Sequence, residues 1–141
     1  GAAHSMANPL TANRGVVHGQ AVGVCLPAVI RFNSNLLDVL EIYAELSRGV
    51  GFADRDADAE TALNCLITVI EELLALAGFP KNLEQHGFTF DDIPNLAKEA
   101  SEQWTAGFNP RPVSGQDFAK LYASLFAGTA CAEIDFEPSS I

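Results

Sequence analysis

The feature that most constrains this chain is the period of its apolar residues. Leu63, Leu66, Ile67, Ile70, Leu73, Leu74 and Ala77 recur at intervals of three and four, the spacing that gathers side chains on one face of an α-helix. They form a wide apolar stripe on what reads as the best-defined helix of the chain, and Gly78 and Pro80 end it. The same period returns in Leu36, Leu37, Leu40, Tyr43, Ala44 and Ser47, which predict a helix from Asn35 to Arg48, capped by the polar run Asn33, Ser34, Asn35 and stopped before Gly49 and Gly51. Thr89 caps a further helix through Ile93, Leu96, Ala97 and Ala100, expected to reach Trp104. Ser114 caps another, bearing Phe118, Leu121, Tyr122, Leu125 and Phe126 and ending near Gly128. Between these two, Gly107 to Pro112 holds two prolines and is expected to be an extended loop.

The amino-terminal third follows the same rule under more constraint. Ala2 to Ala12 can form a short alanine-rich helix, with Pro9 tolerated only near an end or a bend, and Thr11 to Gly15 reads as a turn. Val17, Ala21, Val24, Cys25 and Ala28 then share a face, interrupted by Pro27, whose ring presses on the carbonyl of Gly23. This predicts a kinked helix, apolar nearly all round and therefore buried. Ala53 to Glu60 is an acidic loop, and Lys81 to Gly87 suggests a single helical turn. No run alternates in the manner of a strand, so the expected class is all-α, a compact bundle of about six helices. With 141 residues, 48% of them hydrophobic, one domain over residues 1–128 is expected, followed by a loosely packed acidic tail at 129–141.

The formal charge of −10, with only eight Lys and Arg, argues against nucleic acid or an anionic membrane as a partner, since both need a basic patch. No apolar run is long enough to span a bilayer, and a cytoplasmic location is expected. Cys25, Cys65 and Cys131 are odd in number and far apart, which fits neither a zinc knuckle nor a disulfide framework. Cys25 and Cys65 read as buried thiols acting as small hydrophobes.

The chemistry-bearing candidates are few. His4 lies among Ala2, Ala3 and Ala7, and His18 between Gly15 and Gly19, surroundings that allow close backbone approach. Their separation of fourteen residues is not that of two ligands on one helix face, so a shared metal would require two elements folded together. By itself a histidine among small residues is more often a hydrogen-bonded core or surface residue than a ligand. His86 stands at an expected helix end, where an imidazolium would favour the terminal carbonyls. Asp54, Asp56, Asp58 and Glu60 alternate, but a calcium loop starting at Asp54 would need glycine and glutamate where Ala59 and Cys65 stand, so a solvated loop is expected.

Several segments together resemble the carboxyl-terminal part of the iron-containing alcohol dehydrogenase family. They are Gly1-Ala2-Ala3-His4, His18-Gly19, the run Leu26-Pro27-Ala28-Val29-Ile30-Arg31-Phe32-Asn33, then Gly78 to Leu83, Phe90 to Ala97, and Asn109-Pro110-Arg111-Pro112 before a last helix. Because the match starts at Gly1, the residues before Met6 are expected to belong to the protein itself. The resemblance implies a dehydroquinate synthase-like helical domain in which His4 and His18 are two of four protein ligands to Fe2+ or Zn2+, with nitrogens about 2.0–2.2 Å from the metal. It also implies hydride transfer between a small alcohol and an aldehyde or ketone, with NAD or NADP.

Asn8 stands where many members of that family carry a second histidine, four residues after the first ligand, near nicotinamide and substrate. An asparagine there can hold a hydroxyl or carboxamide but cannot take up a proton at neutral pH. Thr105 and its neighbours before Asn109 are candidates to line the substrate pocket, or simple loop punctuation.

The family's other two ligands and its amino-terminal nucleotide-binding domain have no counterpart in this sequence. The chain is therefore expected to be a piece of a longer, homo-oligomeric enzyme, inactive alone and lacking its first helix or helices. Two alternatives stay open: a maleylacetate reductase-like enzyme of the same superfamily, which need not use a metal, and a non-catalytic helical interaction module.

Overall fold

A computed structural model describes residues 1–127 of the 141-residue chain. The expected tail at 129–141, with Cys131, lies outside the described residues. Among those described, six α-helices follow one another without a strand: α1 (Ala2–Arg14), α2 (His18–Asn33), α3 (Leu37–Gly49), α4 (Ala59–Leu76), α5 (Ile93–Ser101) and α6 (Gly115–Ala123). Short 3-10 turns occupy Glu84–His86, Phe90–Asp92 and Trp104–Phe108. The all-α bundle expected from the apolar period is the observed architecture.

The main core is built from α1, α2, α5 and α6. Met6, Leu10, Cys25, Phe32, Leu96, Phe118, Leu121 and Tyr122 are buried together there. Helices α3 and α4 pack on each other and join the rest through α2, where Ile30 meets Leu63 and Ile67. Gly23 leaves room beside that junction: a Cβ at this position would stand 2.8 Å from Cδ2 of Leu74 and 3.1 Å from the Phe79 ring, and the leucine side chain would have to turn away. Glycine here therefore serves the approach of α4 as well as the passage of α2 through Pro27.

Four expectations are corrected. Helix α1 does not end near Ala12 with a turn from Thr11 but runs to Arg14, where Gly15 at φ 65° donates its N–H to the Thr11 carbonyl. Buried packing holds the helix together through the proline, and the Tyr122 hydroxyl donates to the Met6 carbonyl at 2.7 Å. The triplet Asn33–Asn35 does not cap α3, whose N-cap is Leu36. Instead Ser34 and Asn35 donate to the carbonyls of Arg31 and Phe32, closing the end of α2. Helix α5 ends at Ser101 rather than Trp104, and the supposed extended loop begins as the 3-10 turn Trp104–Phe108. Helix α6 is shorter than expected, ending at Ala123, although Leu125 and Phe126 stay buried beyond it.

The caps at Thr89 and Ser114 are both reciprocal boxes, with Asp92 and Asp117 accepting from the cap residue's N–H, but Thr89 caps the 3-10 turn Phe90–Asp92 that leads into α5, whose own N-cap is Asp92. Asp92 accepts from the Thr89 N–H at 2.8 Å and pairs with Arg14 at 3.1 Å, and these contacts hold its carboxyl below the usual carboxylate range. Replacing it, Asp92→Ala, is expected to cost about 1 kcal/mol of unfolding free energy by urea titration. A change below about 0.3 kcal/mol would show that the box contributes nothing.

Candidate metal centre

The small side chains of the first helix let the second come close. Ala2, Ala3 and Ala7 of α1 are buried, and α2 packs on that helix. His4 lies in the first turn of α1 and His18 opens α2, so the close packing of these helices carries the two imidazoles to a centroid separation of 5.3 Å at an interplanar angle of 50°. Both residues are exposed, and neither ring hydrogen-bonds to another described residue. Two imidazoles on one tetrahedral ion, with nitrogens about 2.0–2.1 Å from the metal, would have centroids roughly 5 Å apart. The spacing fits a shared ion. Among the described residues no third His, Cys, Asp or Glu joins them in a ligand cluster, so two donors are what these residues offer.

Asn8 sits one turn beyond His4 and is half-buried, its Nδ2 donating to Oε1 of Gln103 at 2.9 Å. One residue to the side, the Ser5 and Thr105 hydroxyls share a 2.7 Å bond. Thr105 therefore contacts the helix that carries His4. Gln103 was not legible as a site neighbour, because its partner lies 95 residues away.

The amino terminus of α1 is held by a second set of bonds. The Ala2 N–H donates to Oδ1 of Asn109 at 3.1 Å, a substitute for the side-chain cap that Gly1 lacks. Asn109 Nδ2 in turn donates to Oδ1 of Asn33 and to the Arg111 carbonyl, both at 2.7 Å. Arg111, 3% exposed, donates from Nη1 to the Phe32 carbonyl at 2.7 Å and lays its guanidinium 4.0 Å from the Phe32 ring centre. Phe32, Asn33, Asn109 and Arg111 thus form one largely buried polar joint between the end of α2 and the start of α1, the turn that carries His4.

The remaining candidates are dispersed. Asp58 caps α4, its carboxylate lowered in pKa by the Thr61 N–H that it accepts at 2.8 Å. Cys25 is fully buried, which pushes its thiol pKa far up, whereas Cys65 is half-buried rather than buried as expected. His86 is also corrected. It ends a 3-10 turn, but its Nε2 is buried without a partner among the described residues, and burial pushes its pKa below the ordinary value.

The neutral ring is therefore the folded form at His86, not the imidazolium. An unfolded chain takes up that proton near pH 6.5, the folded chain only lower, so stability from this group is present above about pH 6.5 and lost as pH falls below it. Urea midpoints at pH 7.5 and 5.5 are expected to differ less in His86→Leu than in the native chain, and an equal difference would exclude this origin.

The profile of the Fe-containing alcohol dehydrogenase family, C-terminal, matches residues 1–126. Lactaldehyde reductase of Escherichia coli is 33% identical over 122 residues, covering 86% of this chain and 31% of that protein. The NADPH-dependent butanol dehydrogenase of Clostridium saccharobutylicum is 29% identical over 140 residues, 96% of this chain and 34% of its own length. Among solved structures, a 1,3-propanediol oxidoreductase superposes with a TM-score of 0.82 at 29% identity, over 89% of this chain and 32% of that one. The chain thus spans about a third of the length of these relatives. It belongs to the Fe-containing alcohol dehydrogenase family and matches the family's carboxyl-terminal helical part.

Proposed function

We propose that residues 1–128 are the metal-binding helical domain of an enzyme that interconverts a small alcohol and an aldehyde or ketone with NAD or NADP. The observation that carries this reading is the pair of imidazoles of His4 and His18, 5.3 Å apart between ring centres on two packed helices. It is supported by the family match and by relatives named for lactaldehyde, butanol and 1,3-propanediol.

In this reading His4 and His18 give two nitrogen donors to Fe2+ or Zn2+, the remaining donors and most cofactor contacts coming from a nucleotide-binding portion outside these residues. When bound, the ion supplies Lewis-acid polarisation of the substrate oxygen and the nicotinamide supplies hydride exchange. The chain's own part is to aim the two imidazoles and to hold Asn8 beside them. Asn8, fixed by Gln103, orients a hydroxyl or carboxamide by hydrogen bonding and leaves proton uptake to other groups. The reading includes a cytoplasmic homo-oligomer that binds neither nucleic acid nor membrane, in keeping with the charge of −10 and with no described helix long and apolar enough to cross a bilayer.

Metal removal tests it. Chelation is expected to abolish NAD(P)-coupled alcohol oxidation by the complete enzyme, and Fe2+ or Zn2+ to restore it. Undiminished turnover after the metal has gone would contradict the proposal and favour the maleylacetate reductase-like alternative.

A further inference from the structure

We infer that Gln103 is a positioning residue: it turns the Asn8 amide so that Oδ1 faces the site and accepts a hydrogen bond from the reactants. The inference rests on the alcohol-oxidising reading above and adds to it the polarity of the Asn8 contact and the residue that sets it.

A carboxamide can sit either way round, and its neighbours decide which end carries the oxygen. Here the order starts from the backbone carbonyl of Glu99 in α5, which can only accept. Gln103 donates to it from Nε2 at 3.4 Å, and the reverse orientation would set two oxygens against each other. That leaves Gln103 Oε1 for Asn8. An oxygen there requires a donor, so Asn8 offers Nδ2 at 2.9 Å and keeps Oδ1 for the other side. Among the described residues Oδ1 has no partner, and it is not shut off from solvent.

The relay is held at its base. Asn13, farther along α1, donates from Nδ2 to the Glu99 carboxylate at 2.7 Å, a second tie between α1 and the turn of α5 that orders Gln103. At the other end, Asn8 stands four residues after His4 and so on the same face of α1, one turn from the imidazole pair. Two groups in the reaction can donate to an oxygen placed there, the alcohol hydroxyl and the carboxamide NH2 of the nicotinamide, whereas an aldehyde or ketone cannot. An amide keeps this polarity across the neutral range, unlike an imidazole.

The test uses the complete enzyme with Gln103→Leu, which removes the relay, and Gln103→Glu, which keeps an oxygen for Asn8 Nδ2. Calorimetry on the metal-free protein gives the dissociation constants of the oxidised dinucleotide and of its acetylpyridine analogue, whose methyl ketone has no N–H. Turnover of the metal-loaded protein gives KM and kcat for 1-butanol. Gln103→Leu is expected to weaken the donor's contact about fivefold to tenfold, and Gln103→Glu less than about twofold. If the carboxamide is the donor, the loss falls on the natural dinucleotide and not on the analogue. If the alcohol is the donor, both dinucleotides bind as before, and KM for 1-butanol rises while kcat holds. Equal weakening of both dinucleotides, equal damage by leucine and glutamate, or no change in any constant would overturn the inference. A native, metal-loaded enzyme that oxidises no small alcohol would instead refute the functional reading beneath it.

Discussion

Replacing His18 with alanine is expected to strip the metal from the complete enzyme and to lower kcat/KM for alcohol oxidation by roughly 1,000-fold, the several kcal/mol that a Lewis acid contributes at a developing oxyanion. The side chain is exposed and takes part in no hydrogen bond within the described residues, so its removal should leave the urea midpoint within experimental scatter. That combination separates a ligand from a structural histidine. His86→Ala is the control, because that ring lies in another turn and should leave turnover unchanged. An His18→Ala enzyme with full metal content and native kcat/KM would remove the imidazole pair from the site.

The second large effect concerns stability. Arg111→Ala takes a 3%-exposed guanidinium out of the joint between α2 and α1, with its bond to the Phe32 carbonyl and its stack on the Phe32 ring. The expected loss is about 3 kcal/mol, the range for breaking a buried charged network. Lysine should restore little of it, since an ammonium cannot reproduce the planar stack. Because Asn109 bonds both to the Arg111 carbonyl and to the first turn of α1, the same change should weaken metal binding through His4, although Arg111 is not a ligand. A loss under about 1 kcal/mol by urea titration, with metal affinity intact, would show that this joint does not position the site.

How much of this was legible in the sequence depends on how local each cause is. The stripe from Leu63 to Leu74 and the boxes at Thr89 and Ser114 act within a few residues, and each produced the expected feature. Thr11 to Gly15 and the Asn33–Asn35 triplet are local signals that admit two outcomes, and packing chose the one not expected: α1 continues to Arg14, and the polar run closes α2 instead of opening α3. The turn Trp104–Phe108 could not be read, because the bonds that shape it join residues about 100 apart, as Ser5 and Thr105 do. The same holds for Asn109 and Arg111. They stood out as family landmarks, and only the fold shows that they hold the start of α1.

For His4 and His18 the spacing of fourteen residues pointed to no pairing; the family resemblance did, and the packing of α1 on α2 provides the proximity. Whether they hold one ion is tested most directly by the metal affinities of His4→Ala, His18→Ala and the double variant, measured by competition with a chromophoric chelator. With one shared ion, each single substitution should weaken binding about 100-fold or more and the second should add little to the first. Losses that simply add, as for two separate weak sites, would contradict it.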